Sequence, residues 1–212
     1  MRKSETTLKA VTALEKLYPE AKCSLDYETP FQLLIATRLS AQCTDARVNI
    51  VTPALFKRLP NAKAFAEADL DTVEELIKTC GLYKTKAKDL IGIGKMITES
   101  FGGKVPDTIE ELTKLPGVGR KTANLICGDI YKKSAVVTDT HFIRLCNRLG
   151  LVDTSVPKKV EMAMAKLLPP DKSSDFCHRA VVFGREICTA RKAYCEKCPM
   201  NDFCPKKIKI KK

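Results

Sequence analysis

Apolar residues recur at three- and four-residue intervals along nearly the whole chain, as in Leu8, Val11, Leu14 and Leu17, or in Val160, Met164, Leu167 and Leu168. This is the period of a helix with one buried face, and no segment shows a convincing strand alternation. Pro30 suits the first position of a helix. The run that follows, Phe31 to Leu39, is apolar almost all round, which places that helix in the centre of a bundle. The pattern predicts further helices at about 45–58, 72–79, 84–100, 108–114, 120–131, 140–149, 156–168 and 173–187. The expected fold class is all-α.

Two of these helix pairs resemble each other. DTVEELIKTCGLYKTKAKDL, residues 71–90, aligns with DTIEELTKLPGVGRKTANLI, residues 107–126. Each reads as a short helix, a glycine-containing hairpin and a second helix, with acidic residues where the positive helix end favours them. Similar helix pairs also converge on similar sequences, so the match by itself leaves duplication and convergence equally open. The two copies differ at the turn, where Tyr83 stands in the first and Gly119 in the second.

The hydrophobic content of 44% over 212 residues is enough for a real core. A net charge of +12 then points outward, to a polyanion such as nucleic acid or an acidic membrane surface. The N-terminal MRKSETTLKA lacks the apolar core of a signal peptide, and no apolar run approaches the roughly 18 residues that span a bilayer. The expectation is an intracellular, cytoplasmic protein without a membrane partner. The basic tail PKKIKIKK reads as a solvated end that adds nonspecific attraction to phosphate.

Six of the ten cysteines stand singly: Cys23, Cys43, Cys80, Cys127, Cys146 and Cys177. Several lie among apolar neighbours, where a thiol acts as a small hydrophobe. The other four, Cys188, Cys195, Cys198 and Cys204, form C-x6-C-x2-C-x5-C. In a chain without export signals this crowding favours a metal site over disulfides. Spacing alone leaves tetrahedral zinc and an iron-sulfur cluster both open.

In LPGVGRKTA, residues 115–123, Gly117 and Gly119 flank Val118 just before Arg120 and Lys121. Glycines permit positive φ and remove the Cβ atoms that keep another molecule away. The turn's amides and the helix that starts near Arg120 would then face an anion such as a backbone phosphate. G-V-G alone equally fits a plain helix-helix turn. Lys121 stands where the helix end and Arg120 both disfavour a further cation, surroundings that suit a nucleophilic amine; a second phosphate contact is the simpler reading. Asp139, in VVTDTHFIRLCNRLG, is a good N-cap for the amphipathic run after it.

Taken together, LPGVGRKTA, VTDTH, LLIATRLSAQCTDARVN, GLYKTKA and the cysteine loop resemble the endonuclease III family of helix-hairpin-helix DNA glycosylases, over nearly the whole chain. The resemblance implies two helical domains flanking a DNA-binding groove. One is a six-helix domain with the hairpin, residues 23–133; the other is discontinuous, residues 1–22 and 134–212, and carries one [4Fe-4S] cluster on the loop 188–204. It implies a base-excision repair enzyme, a monomer that takes double-stranded DNA containing oxidised pyrimidines or abasic sites. Lys121 would displace a flipped base of the thymine-glycol type and cut the strand on the 3′ side by β-elimination from a Schiff base, with Asp139 as the catalytic carboxylate. Gln42 and Leu82 would fill the gap left by the base, while Gly117, Val118, Gly119 and Arg120 hold phosphate. Cys188, Cys195, Cys198 and Cys204 would ligate the cluster, and Arg191 and Lys192 between the first two would meet DNA. Ser40 and Thr44 suit a polar pyrimidine. Adenine-mismatch glycosylases share the fold and cysteine loop but normally lack the lysine at position 121 and carry a further C-terminal domain. A noncatalytic iron-sulfur DNA-binding protein would need neither Lys121 nor Asp139.

Overall fold

The helical period is realised throughout the structure, a computed structural model that describes residues 2–207. Among the described residues there is no strand, only an isolated antiparallel bridge between Cys188 and Ala193. The helices are α1 (Lys3–Leu17), α2 (Pro30–Ser40), α3 (Asp45–Arg58), α4 (Ala62–Ala66), α5 (Leu70–Ile77), α6 (Tyr83–Ser100), α7 (Ile109–Leu112), α8 (Arg120–Asp129), α9 (Thr140–Arg148), α10 (Pro157–Ala165) and α11 (Ser173–Glu186). Short 3-10 turns occupy Pro170–Lys172 and Cys195–Lys197. The expectation for the tail PKKIKIKK falls largely on 208–212, outside the described residues. No described helix is long and apolar enough to cross a membrane.

Side-chain caps fix most of the starts. Thr29 accepts from the Gln32 amide in front of Pro30, and Thr44, Asn61, Asp69, Thr108 and Asp139 cap α3, α4, α5, α7 and α9 in the same way. Asp69 explains why α5 begins two residues before the apolar period suggests. The five-residue α4 is too short to show a period and is invisible in the sequence pattern.

The described chain divides into two units, one running from Cys23 to Tyr131 and the other combining the chain up to Lys22 with the chain from Lys132 onward. In the Cys23–Tyr131 unit, α2 is buried on all sides: Leu33, Leu34, Ile35, Ala36 and Leu39 are fully enclosed. At about 1.5–3 kcal/mol for each large side chain, this helix is a main source of that unit's stability. Gly94 lets α6 lie directly on α4, since a Cβ there would come within 2.7 Å of the Ala62 carbonyl oxygen. In the other unit, α1 packs on α11. Tyr18 Oη donates to Glu186 Oε2 at 2.8 Å, Arg179 Nε donates to the Tyr18 carbonyl at 3.1 Å, and Lys172 Nζ pairs with Glu15 at 2.6 Å. Only Val11 and Leu14 of the expected α1 stripe are buried; Leu8 and Leu17 remain 53% and 41% exposed. Gly184 of α11 lies against His141 of α9, where a Cβ would meet the ring at 2.8 Å.

Candidate functional site

The two helical hairpins of the Cys23–Tyr131 unit share a plan but turn opposite residues outward. In the second, Gly117 takes the left-handed conformation at φ +67°. A Cβ there would lie 2.2 Å from Arg38 Nε, so the backbone rests directly on the ion pair of Arg38 with Asp89. Arg38 Nε donates to Asp89 Oδ2 at 2.9 Å, and its Nη2 reaches the same oxygen. Val118 points inward at 6% exposure, and its amide closes the turn on the Leu115 carbonyl at 3.1 Å. The expectation of positive φ at both glycines holds only for Gly117. Gly119 is extended (φ −95°, ψ 174°), and a Cβ on it would meet nothing within 4 Å. Its missing side chain therefore clears space in front of α8. Arg120 and Lys121 are exposed in the first turn of that helix.

In the first hairpin, Leu82, the counterpart of buried Val118, takes the left-handed conformation (φ 59°, ψ 31°) and is 57% exposed. A non-glycine residue there costs about 1–2 kcal/mol, and such strain persists where surrounding structure dictates it. Gln42 shares this state at φ 54° and lies, exposed, in the link between α2 and α3 rather than on a helix surface. The two strained residues are neighbours: a Cβ on Gly81 would come within 3.0 Å of the Gln42 carbonyl oxygen. Beneath them Lys86 is fully buried and donates from Nζ to the Leu39 carbonyl at 2.7 Å. It satisfies a carbonyl that the end of α2 leaves open and ties the Gln42 link to the start of α6. Burial lowers the Lys86 amine from its ordinary range. Ser40, whose hydroxyl donates to the Thr37 carbonyl at 3.0 Å, and Thr44, the cap of α3, flank Gln42.

Asp139 is half-buried at the N-cap of α9, where Oδ1 accepts from the Phe142 amide at 2.7 Å. The carboxylate is thereby fixed in orientation.

Cys188, Cys195, Cys198 and Cys204 line one cavity of about 340 Å³, with Leu145, Leu149, Phe183, Ile187 and Met200 among its apolar walls. Among the described residues no three His, Cys, Asp or Glu side chains group closely enough to share a single metal ion. The four thiols share the wall of that cavity. Amides of Met200 and Lys206 donate to the sulfurs of Cys198 and Cys204, each at 3.4 Å, and Arg148 Nη1 donates to Cys188 Sγ at 3.1 Å. Burial pushes the Cys198 and Cys204 thiols up while those amide donors pull them down; a metal that takes a thiolate displaces its proton. Arg144 binds the carbonyls of Gly184 and Cys188 at 2.8 and 3.0 Å, so two helix α9 cations hold the loop's root. Between Cys188 and Cys195 the loop closes on itself through the Cys188–Ala193 bridge, Thr189 and the Tyr194 amide. It presents exposed Arg191 and Lys192, the latter with Nζ 4.9 Å above the Tyr194 ring.

The sequence reading missed Arg38–Asp89, Lys86 and the arginine pair. Only Lys86 left a signal, since 86, 90, 93 and 97 fall on one helical face with Leu90, Ile93 and Ile97.

The model of the HhH-GPD superfamily of base excision DNA repair proteins matches residues 35–170. Endonuclease III of Synechocystis is 47% identical, covering 96% of this chain and 93% of that protein. Endonuclease III of Escherichia coli K12 is 36% identical, covering 96% of each. A solved structure described as a trapped endonuclease III–DNA covalent intermediate superposes with a TM-score of 0.90 at 36% identity, covering 97% of each chain. The chain, matched along nearly its whole length, thus belongs to the HhH-GPD superfamily of base excision DNA repair proteins and, within it, to the endonuclease III family.

Proposed function

We propose that this DNA glycosylase and abasic-site lyase uses Lys121 as its nucleophile on oxidised pyrimidines in double-stranded DNA, with Asp139 as the assisting carboxylate. The observation that carries the assignment is the second hairpin, where Gly119 leaves open space at the start of α8 and Lys121 stands exposed in that helix's first turn. The damaged nucleotide leaves the stack because its sugar carbon is unreachable within the duplex. The Lys121 amine attacks that carbon and the bond to the base breaks, the base leaving with a proton. Of the amine's two protons one goes with the base and the other to the ring oxygen as the sugar ring opens to an imine. Loss of a proton from the adjacent sugar carbon expels the 3′ phosphate and cuts the strand. Asp139 offsets positive charge developing on the sugar and assists the proton transfers. The rigid cap geometry suits this, because a fixed carboxylate needs no reorganisation.

Gln42 and Leu82 fill the vacated position, an apolar wedge and a carboxamide that faces the orphaned base. Their strained, adjacent, exposed turns support this role. Gly117 and Val118 shape the turn from within, while the Gly119 and Arg120 amides address a phosphate at the helix end. Arg191 and Lys192 meet a further phosphate.

Cys188, Cys195, Cys198 and Cys204 hold one [4Fe-4S] cluster, for which the cavity, four thiols and N–H donors to sulfur are a fitting site. Its contribution is to fold the loop that presents Arg191 and Lys192.

Borohydride reduction during turnover of thymine-glycol DNA tests the nucleophile. Wild type should be trapped covalently on the strand and Lys121→Ala should not; equal trapping of both removes Lys121 from the chemistry.

A further inference from the structure

The two strained turns are each flanked by a cysteine. Cys43 follows Gln42, and Cys80 lies two residues before Leu82. The backbones come together between them, where a Cβ on Gly81 would lie 3.0 Å from the Gln42 carbonyl oxygen, and the Cys80 and Cys43 thiols are close enough to interact. Cys43 is half-exposed and Cys80 is buried. Neither is explained by the cluster or by the glycosylase chemistry. Burial pushes the Cys80 thiol up to about 11, and the nearby Lys86 ammonium pulls against that.

We propose that Cys43 and Cys80 form a reversible disulfide that ties the Gln42 turn to the Leu82 turn and so slows lesion processing. The consequence for activity rests on the reading of Gln42 and Leu82 as gap-filling residues; the disulfide itself does not. The close approach of the two backbones one residue from each cysteine brings them into one neighbourhood, and a disulfide closes over Cα separations of about 4.4–6.8 Å. The oxidant is a low-molecular-weight disulfide. The accessible Cys43 thiolate attacks one of its sulfurs, the S–S bond breaks, and one small thiol leaves, taking up a proton. The Cys80 thiolate then attacks Cys43 Sγ and expels the second small thiol. Two protein thiols have lost two protons and two electrons, and the small disulfide has gained them. A covalent tie removes the freedom of the two turns to adapt around an extruded base.

The test treats the holoenzyme with oxidised glutathione, blocks remaining thiols and maps peptides by mass spectrometry. A Cys43–Cys80 cross-linked peptide is expected in wild type, absent from Cys43→Ser and Cys80→Ala, and reversed by dithiothreitol. Recovery of Cys43 and Cys80 as separate blocked peptides, or a glutathione retained on Cys43, overturns the proposal. In a nicking assay the bridged wild type should cut about tenfold more slowly, about 1.4 kcal/mol on the barrier, and Cys43→Ser should be insensitive to the oxidant. Slowing shared by Cys43→Ser arises elsewhere and also overturns it, as does a bridged enzyme that cuts at the reduced rate. Failure of the reduced wild type to nick at all sinks the glycosylase reading instead, while the peptide map is read without DNA.

Discussion

At the scale of single residues, Asp139 carries two tasks that substitution separates. Asparagine caps helices as well as aspartate does, so Asp139→Asn should keep the bond to the Phe142 amide and melt near wild type. Turnover should nevertheless fall by about 10²–10⁴, the range for loss of a positioned acid or base. Asp139→Ala should lose activity and, in addition, about 1 kcal/mol of stability with the cap. Thermal melts and single-turnover kinetics on both variants decide this; normal turnover in Asp139→Asn would leave the residue as a cap only. Lys86 shows how a single burial alters meaning. It is one of three lysines in KTKAK, yet it alone is enclosed, and it works as a strut for the Gln42 link rather than as surface charge.

At the scale of elements, the two hairpins carry the argument. The first copy places its left-handed residue at Leu82 and exposes it, and the second shifts that conformation back by one position to Gly117, so that Val118 turns inward. One register step therefore converts a protruding side chain into an open backbone turn. The glycines of the second turn should respond differently. Gly117→Ala meets both left-handed strain, about 1–2 kcal/mol, and the Arg38–Asp89 pair at 2.2 Å from Arg38 Nε, so its melting temperature should drop clearly. Gly119→Ala enters open space with an extended backbone, so its stability should stay within about 0.5 kcal/mol of wild type while DNA binding weakens. Unchanged DNA affinity in Gly119→Ala would remove that turn from the phosphate contacts.

At the scale of the whole molecule, the net charge of +12 predicts association governed by counterion release. The logarithm of affinity for undamaged duplex should fall linearly with the logarithm of salt concentration, with slope about −0.9 for each phosphate neutralised. Arg191→Ala should make that slope shallower by about one, since the closed loop holds the side chain out; an unchanged slope would place Arg191 in solvent. The salt titration reads the whole field, whereas the variant assigns one part of it to the cysteine loop.

Much of this was legible in the chain because it is local. Helical period, Pro30 at a helix start, the Asp139 cap and the spacing of four cysteines depend on residues within a turn or two, and the signature stretches carried the family. The short α4, the outward Leu8 and Leu17, and the extended Gly119 were not legible. Neither were the contacts that give the site its shape: Arg38 with Asp89, Lys86 with the Leu39 carbonyl, and Cys43 with Cys80. Each joins residues 37 or more positions apart. The sequence by itself determined the helical class, most of the helices and which side chains are chemically able to act. Only the tertiary structure decided which of two near-identical turns faces outward, because that choice follows from what each backbone rests upon: for Gly117, the Arg38–Asp89 pair brought up by α2 and α6.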